Sequence, residues 1–257
     1  MKTIKLFLAG ALLIAAMPAG AQNICAHRGF WKCKEAHKTQ NSIASLRLAQ
    51  ENEFWGSEFD VHLTADDVIV VNHDPSLNGI PIHTSTYAKL LETKLKNGES
   101  IPTLDQYIEQ GTKSDCVMVL EIKPQDTEER TLQLTSACME ALKRHDMLDP
   151  KRVMFISFSY AACEWIAREL PEFTNQYLSG DKDPETVHAS GINGIDYHYI
   201  AFYRHPDWVE RAHKLGMSVN VWTVDCKKVM RYVRDLGVDA ITTNKPLVAR
   251  EIMSKSK

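Results

Sequence analysis

The stretch EFDVHLTADDVIVVNHD, residues 58–74, holds acids where a strand favours valine. Glu58 and Asp60 sit two apart in an apolar run, and side chains two apart on a strand share a face. The run LEIK at 120–123 repeats the pattern with Glu121 and Lys123. Buried carboxylates are costly, and a close pair repels by roughly 4 kcal/mol at 4 Å in a protein-like dielectric. Something cationic must offset that repulsion. Oxygen-only donors suit a hard divalent ion, Mg²⁺ or Ca²⁺, whereas zinc usually recruits histidine. The competing reading is a salt-bridge network with Arg28 and Lys123, because structural ion pairs cluster in the same way. His27 and His73 add a second chemistry, since two imidazoles can act as general base and general acid on opposite sides of a reacting centre. Metal, Arg28 and Lys123 together match a phosphoryl group better than a sugar or a peptide.

These side chains need a scaffold that brings them to one place. Nine short apolar segments read as strands, at 23–27, 57–63, 68–72, 116–122, 152–157, 174–179, 194–199, 218–224 and 239–243. Helical periodicity fills 42–51, 103–111, 128–146, 160–169, 206–215 and 226–236, with Thr103 as an N-cap and Gly111 as a stop. Such alternation predicts a parallel sheet with crossover helices, and strands apolar at nearly every position predict a sheet covered on both faces. Nine strands are one too many for an eight-stranded barrel. The turn Ala65-Asp66-Asp67 leaves no room for a helix, so 68–72 is expected to fold back on 57–63 as a hairpin outside the barrel. The predicted fold is therefore α/β, a (β/α)8 TIM barrel with a short insertion of about 64–102 after the second strand. A doubly wound open sheet is the alternative. Pro75 to Ser100 has no clear pattern and reads as a loop. On a barrel, functional groups stand at the C-terminal strand ends, and there lie His27, Arg28, Glu58, Asp60, His73, Glu121, Lys123 and Trp222.

Residues 1–21 form a basic start, a twelve-residue apolar run and the small-residue signature AGA, which reads as a secretory signal peptide cleaved after Ala21, an uncleaved N-terminal anchor being the alternative. Residues 22–257 then form one barrel domain, exported to the periplasm or the exterior. Cleavage takes the formal net charge from −3 to −5, and no long basic run is present, which argues against nucleic acid as a partner. No second apolar run reaches membrane-spanning length, so no stable membrane anchor is expected after cleavage. The six cysteines are widely spaced and lack a Cys-x-x-Cys metal pattern. Cys25, Cys116 and Cys163 read as packed thiols, and Cys25–Cys33 is the nearest candidate bridge.

The assembled pieces resemble the glycerophosphodiester phosphodiesterase family. They are AHRG at 26–29, NS at 41–42, EFDVHLT at 58–64, VVNHDPSL at 70–77, LEIK at 120–123, SFS at 157–159, WTV at 222–224 and GVDAITTNKP at 237–246. They follow the family's order across nearly all of 22–257. The resemblance implies metal-dependent hydrolysis of small glycerophosphodiesters to sn-glycerol 3-phosphate and an alcohol. It implies His27 and His73 as the catalytic pair and Glu58, Asp60 and Glu121 as ligands of one Ca²⁺ or Mg²⁺ ion. Arg28 and Lys123 match its phosphate contacts, and Trp222 matches a wall of its glycerol pocket, a barrel-core role being the alternative. Two departures stand out. Gln40 replaces the acid of the family's usual Pro-Glu-Asn-Thr, leaving Asn41 to be read as a helix cap, and Asn244 stands where the family often has Asp. Three other functions are weighed: a related phospholipase of the C or D type, a non-catalytic secreted phosphate-binding barrel, and a sugar hydrolase using paired carboxylates.

Overall fold

The computed structural model describes residues 22–254, and the expected signal peptide lies outside the described residues. In chain order the strands are β1 (Asn23–Ala26), β2 (Gly56–Leu63), β3 (Ile69–Val71), β4 (Ser76–Leu77), β5 (Ile80–Pro81), β6 (Val117–Ile122), β7 (Val153–Ser157), β8 (Asn175–Tyr177), β9 (Gly194–His198), β10 (Ser218–Trp222) and β11 (Ala240–Thr243). The helices are α1 (Ile43–Glu51), α2 (Tyr87–Leu90), α3 (Leu104–Gly111), α4 (Glu128–Arg144), α5 (Tyr160–Glu169), α6 (Pro184–Ala189), α7 (Tyr199–Arg204), α8 (Trp208–Lys214), α9 (Lys227–Leu236) and α10 (Pro246–Met253).

Eight parallel strands run β1-β2-β6-β7-β8-β9-β10-β11, and β11 pairs with β1 to close the barrel. Alternation along β2 sends Phe59 and Val61 outward into the helix layer and Glu58 and Asp60 inward. The outer core fills the space between strands and helices, while Cys25, Val119, Met154, Ile156 and Leu178 pack inside the barrel beside Trp222.

β2 outruns its neighbour. Gly56 and Ser57 pair with β1, whereas Val61 to Leu63 pair with β3, antiparallel, on the same edge. Between the two, Gly29 N–H donates to the Glu58 carbonyl (3.1 Å) and Asn72 N–H donates to the Asp60 carbonyl (3.0 Å). One strand edge thus seats both the turn after His27 and the turn before His73. The expected hairpin is present, and its position outside the barrel follows from this overrun. The segment 75–100 has more order than expected. It forms the β4–β5 hairpin and α2, around a small core of Val70, Leu77, Ile82, Leu90 and Ile101.

Other differences have local reasons. Gly111 ends inside α3 rather than past it, and the cap is Thr112. Gly111 is required by approach instead, since a Cβ there would overlap the Met118 sulfur on β6. All six cysteines are free thiols. The proposed Cys25–Cys33 bridge fails because Cys25 is sealed among the inner barrel residues, while Cys33 Sγ donates outside it to the Phe30 carbonyl at 3.2 Å. Cys25, Cys116 and Cys163 are buried, as expected. Helices α6 and α7 have six residues each, too short for periodicity to register. Among the described residues no helix is long and apolar enough to cross a membrane.

Helix α1 carries the loop beneath the candidate site, and its start is doubly capped. Ser42 and Ser45 form a capping box. Glu99, from the end of the insertion, accepts Ile43 N–H (3.0 Å) and Ala44 N–H (3.2 Å). A carboxylate on free amides at a helix N-terminus is favourable by both hydrogen bonding and the helix dipole. Glu99→Ala should therefore lower unfolding stability by about 1–2 kcal/mol. Urea denaturation reads this as a lower midpoint, and an unchanged midpoint would contradict the cap.

Candidate active site

Arg28 and Asn41 both hold positive φ, +57° and +51°, which costs a non-glycine residue of order 1 kcal/mol each. The turns they make explain the expense. Arg28 N–H donates to Glu58 Oε2 at 2.7 Å, and the Arg28 carbonyl accepts Asn41 N–H at 3.0 Å. Gly29 follows at φ +79°, where a Cβ would overlap Ser45. Asn41 does not cap α1, because Ser42 does. Instead Asn41 Nδ2 donates to Asp60 Oδ2 at 2.8 Å, and its Oδ1 accepts Asp60 N–H at 3.3 Å. The amide at 41 therefore orients a candidate ligand. Beside it, Gln40 Oε1 accepts from the Arg28 guanidinium at 2.8 Å.

Glu58, Asp60 and Glu121 converge as predicted. Asp60 and Glu121 are register partners on β2 and β6, and one oxygen from each acid lies within 4.8 Å of the others. The three residues are 2%, 0% and 8% exposed. Two cations answer them. Lys123 Nζ lies 2.7 Å from Glu121 Oε1 and 3.3 Å from Asp60 Oδ1, and Arg28 Nε lies 3.8 Å from Asp60 Oδ2. None of these approaches has hydrogen-bond geometry, and Glu58 Oε1 has no hydrogen-bond partner at all. Burial, then repulsion from Asp60 and Glu121, holds Glu58 well above the usual carboxylate range. Burial, then Asp60, pushes Glu121 up to about 8 despite Lys123. Burial works against Asp60 too, but Lys123, His73, Asn41 and Arg28 outweigh it and hold Asp60 low. A salt-bridge network therefore exists but leaves one acid unanswered. A buried, all-oxygen set short of positive charge fits a hard divalent cation on Glu58, Asp60 and Glu121.

The imidazoles are fixed by different means. His27 Nδ1 meets Asn244 Oδ1 at 2.9 Å. The amide cannot turn, because its Nδ2 donates to Asp225 Oδ2 at 2.8 Å and its Oδ1 also accepts from Trp31 Nε1 at 3.0 Å. Asn244 N–H and the Thr243 hydroxyl donate to Asp225 Oδ1, locking the carboxylate in turn. An oxygen facing Nδ1 requires that nitrogen to carry the proton. The neutral ring then leaves Nε2 as an open acceptor, 3.9 Å from Glu58 Oε2. Burial, then the charge of Arg28, lowers the His27 pKa to about 4. His73 is less buried, and its Nδ1 donates to Asp74 Oδ1 at 2.7 Å. His62, on β2, supports that turn with Nε2 against the His73 carbonyl at 3.2 Å.

A cavity of about 150 Å³ joins these groups. His27, Arg28, Glu58, His73, Glu121, Lys123 and Trp222 all line it, and Asp60 lies sealed behind, against Lys123. The structure thus brings all the residues expected at the site together around one cavity. Trp222 is both a barrel residue and a pocket wall. It meets Phe158 edge-on at 5.6 Å, and its Nε1 donates to the Asp196 carbonyl at 2.9 Å. Sequence reasoning missed Asp225, Phe158, His62 and Asp196. Asp196 carried the same signal as Glu121, an acid interrupting an apolar strand, but in GIDYHY it stands alone.

The fold and this pocket define a phosphodiesterase on a (β/α)8 barrel. The model of the glycerophosphoryl diester phosphodiesterase family matches residues 27–248, and the chain belongs to that family. It is similar to the glycerophosphodiester phosphodiesterase of Caldanaerobacter subterraneus subsp. tengcongensis, 29% identical over 87% of this chain and 94% of that one. A solved glycerophosphodiester phosphodiesterase from Parabacteroides distasonis is 41% identical, with a TM-score of 0.87 over 91% of this chain and 97% of that one. An Oleispira antarctica phosphodiesterase, solved with the product sn-glycerol-3-phosphate, is 25% identical, with a TM-score of 0.77 over 91% and 98% of the two chains.

Two expected outcomes follow from these electrostatics. Glu121 is raised in the folded, ion-free protein from 4.5 to about 8, so this group binds more proton in the folded state than in the unfolded chain across that window. Its contribution to stability is present below the lower value and lost as pH rises through the higher one. Below about pH 6.5 His27, His62 and His73, whose pKa values are lowered by burial, act in the opposite sense, so ion-free protein should lose melting temperature from about pH 6.5 to 8, and a divalent cation, which needs the deprotonated acids, should bind more tightly as pH rises. Identical melting curves in EDTA across that range would refute this. Separately, Asp225→Ala frees the Asn244 amide to turn. Nitrogen-15 NMR should show His27 as the Nδ1–H tautomer in the native protein and a mixture in the variant; an unchanged spectrum would contradict the amide lock.

Proposed function

We propose that this chain hydrolyses small glycerophosphodiesters to sn-glycerol 3-phosphate and an alcohol, with one Ca²⁺ or Mg²⁺ held by Glu58, Asp60 and Glu121. The observation that carries the reading is the convergence of two oriented imidazoles, two cations and a buried acid triad at one small cavity, with Glu58 and Glu121 on its wall and Asp60 behind. The product carried by the Oleispira antarctica relative supports the same substrate class.

The roles of the two imidazoles follow from their surroundings. His27 is buried and holds its proton on Nδ1, so Nε2 is the general base. It takes the proton of the substrate's 2-hydroxyl as that oxygen attacks phosphorus. His73 is partly exposed and paired with Asp74, so it holds an additional proton more readily than His27 and delivers it to the leaving alkoxide. Water then opens the cyclic phosphate with the roles reversed. Arg28 and Lys123 face the non-bridging oxygens, where the negative charge grows. A bound divalent cation supplies Lewis acidity, easing ionisation of the attacking hydroxyl and neutralising phosphoryl charge.

The same proposal places the enzyme outside the cytoplasm, in the periplasm or beyond, on the strength of the pattern in residues 1–21. Glycerophosphocholine should be turned over, EDTA should abolish turnover, and Ca²⁺ or Mg²⁺ should restore it. His27→Ala and His73→Ala should each lose about 10²–10⁴ in kcat. Release of glycerol 3-phosphate that survives chelation, or near-normal turnover by both variants, would sink the assignment. Preference for intact phospholipid over glycerophosphocholine would move the enzyme to the phospholipase class. N-terminal sequencing of exported protein should begin at Gln22.

A further inference from the structure

Asp196 has no part in the chemistry above. It stands in the middle of β9, 1% exposed, and neither carboxyl oxygen has a hydrogen-bond partner. Asn220 is its register partner on β10, and Asn220 Nδ2 is also without a partner, as is Thr242 Oγ1 on β11. Their sequence neighbours Ile195, Tyr197, Val219, Val221 and Ile241 belong to the outer core, so alternation turns the polar residues into the barrel. Orphaned polar groups are expensive there, and an apolar residue would serve packing better. Ile156 and Leu178, also inside, show that apolar residues fit this interior.

The acid is also well placed. Asp196 and Thr242 line the same cavity as His27, Glu58 and Lys123. The Trp222 indole, which walls that cavity, donates to the Asp196 backbone carbonyl at 2.9 Å, so the wall is anchored to the residue that carries the acid. Charge at the catalytic rim is supplied by Arg28 and Lys123, which suit the phosphoryl group. The Asp196 end has no cation of its own, and only burial acts on its ionisation, which pushes the acid up to about 8. A neutral carboxyl both donates and accepts, and the ligand group that answers both is a hydroxyl.

We propose that Asp196 is a specificity-determining residue that receives the terminal hydroxymethyl group of the glycerol moiety, with the Thr242 hydroxyl beside it. This rests on the reading of the cavity as a glycerophosphodiester site. A site built to hydrogen-bond a hydroxyl rejects the analogue lacking it, because the site's polar atoms are then left buried and unanswered.

The test compares glycerophosphocholine with 2-hydroxyethyl phosphocholine, which keeps the attacking hydroxyl and lacks only the hydroxymethyl arm. The native enzyme should prefer the first by about 10²-fold or more in kcat/KM. In Asp196→Ala that preference should fall to within about tenfold, through loss on glycerophosphocholine alone. Asp196→Asn, close in shape and still a donor and acceptor, should keep part of it, and it serves if the alanine variant does not fold. Melting temperature should hold or rise in both variants, since an orphaned acid has been removed. A purely structural role, or a buried water on Asp196, predicts equal loss on both diesters or no loss, and either result overturns the inference. A native enzyme that hydrolyses glycerophosphocholine but does not discriminate overturns this inference alone. A native enzyme inert toward both diesters overturns the phosphodiesterase reading and this inference with it.

Discussion

Three carboxylates share a space in which one oxygen from each lies within 4.8 Å of the others, and two cations stand beside them. That imbalance is the constraint around which the rest of the site is arranged. A folded chain could lower it with a third cation or with fewer acids. Instead it surrounds the acids with neutral donors held at fixed angles. The Arg28 amide serves Glu58, and the Asn41 amide serves Asp60. Neutral donors stabilise a carboxylate without occupying the position a hard ion would take, and they leave Glu58 Oε1 open.

The overrun of β2 makes this arrangement possible. A barrel strand that stopped with its neighbour would offer no free edge beyond Ser57. Because β2 continues, its carbonyls at 58 and 60 collect the amides of Gly29 and Asn72, and the two histidine turns dock on one edge. Positive φ at Arg28 and Asn41 is the local cost of bending the chain tightly enough to reach that edge. The insertion returns through Glu99 to cap α1, so the loop that carries Gln40 and Asn41 is held at both ends.

The barrel was legible in the sequence because its strands are short, apolar and regularly interleaved with helices, and because a three-residue turn excludes a helix between β2 and β3. The acids were legible because charged residues two apart interrupt those strands, Glu58 with Asp60 and Glu121 with Lys123. What could not be read were individual side-chain contacts decided by a neighbour distant in sequence. Asn41 next to a helix start looks like a cap, and only the position of Asp60 shows that it orients that buried carboxylate. Gly111 looks like a helix stop until Met118 is seen pressing against it. Asp225 follows a recognisable WTV run, but its work depends on a side chain nineteen positions away. Asp196 was overlooked because its orphaned partners, Asn220 and Thr242, belong to other strands.

Two departures from the family's usual sequence now have a common physical sense. Both put an amide where an acid is usual, and each amide touches a positively charged or protonatable group. Gln40 accepts from Arg28 without adding negative charge beside the guanidinium, which has Asp60 at 3.8 Å as an acidic neighbour. Asn244 orients His27 through a neutral oxygen, and the charged group, Asp225, sits one residue farther back. An acid at 244 would stabilise the imidazolium directly and raise the His27 pKa. The amide preserves orientation and tautomer while leaving the ring neutral, at about 4. In a cavity already crowded with carboxylates, a further pair of acids beside Arg28 and His27 would add negative charge there and favour the imidazolium form of His27. The two amides orient the same groups without doing either.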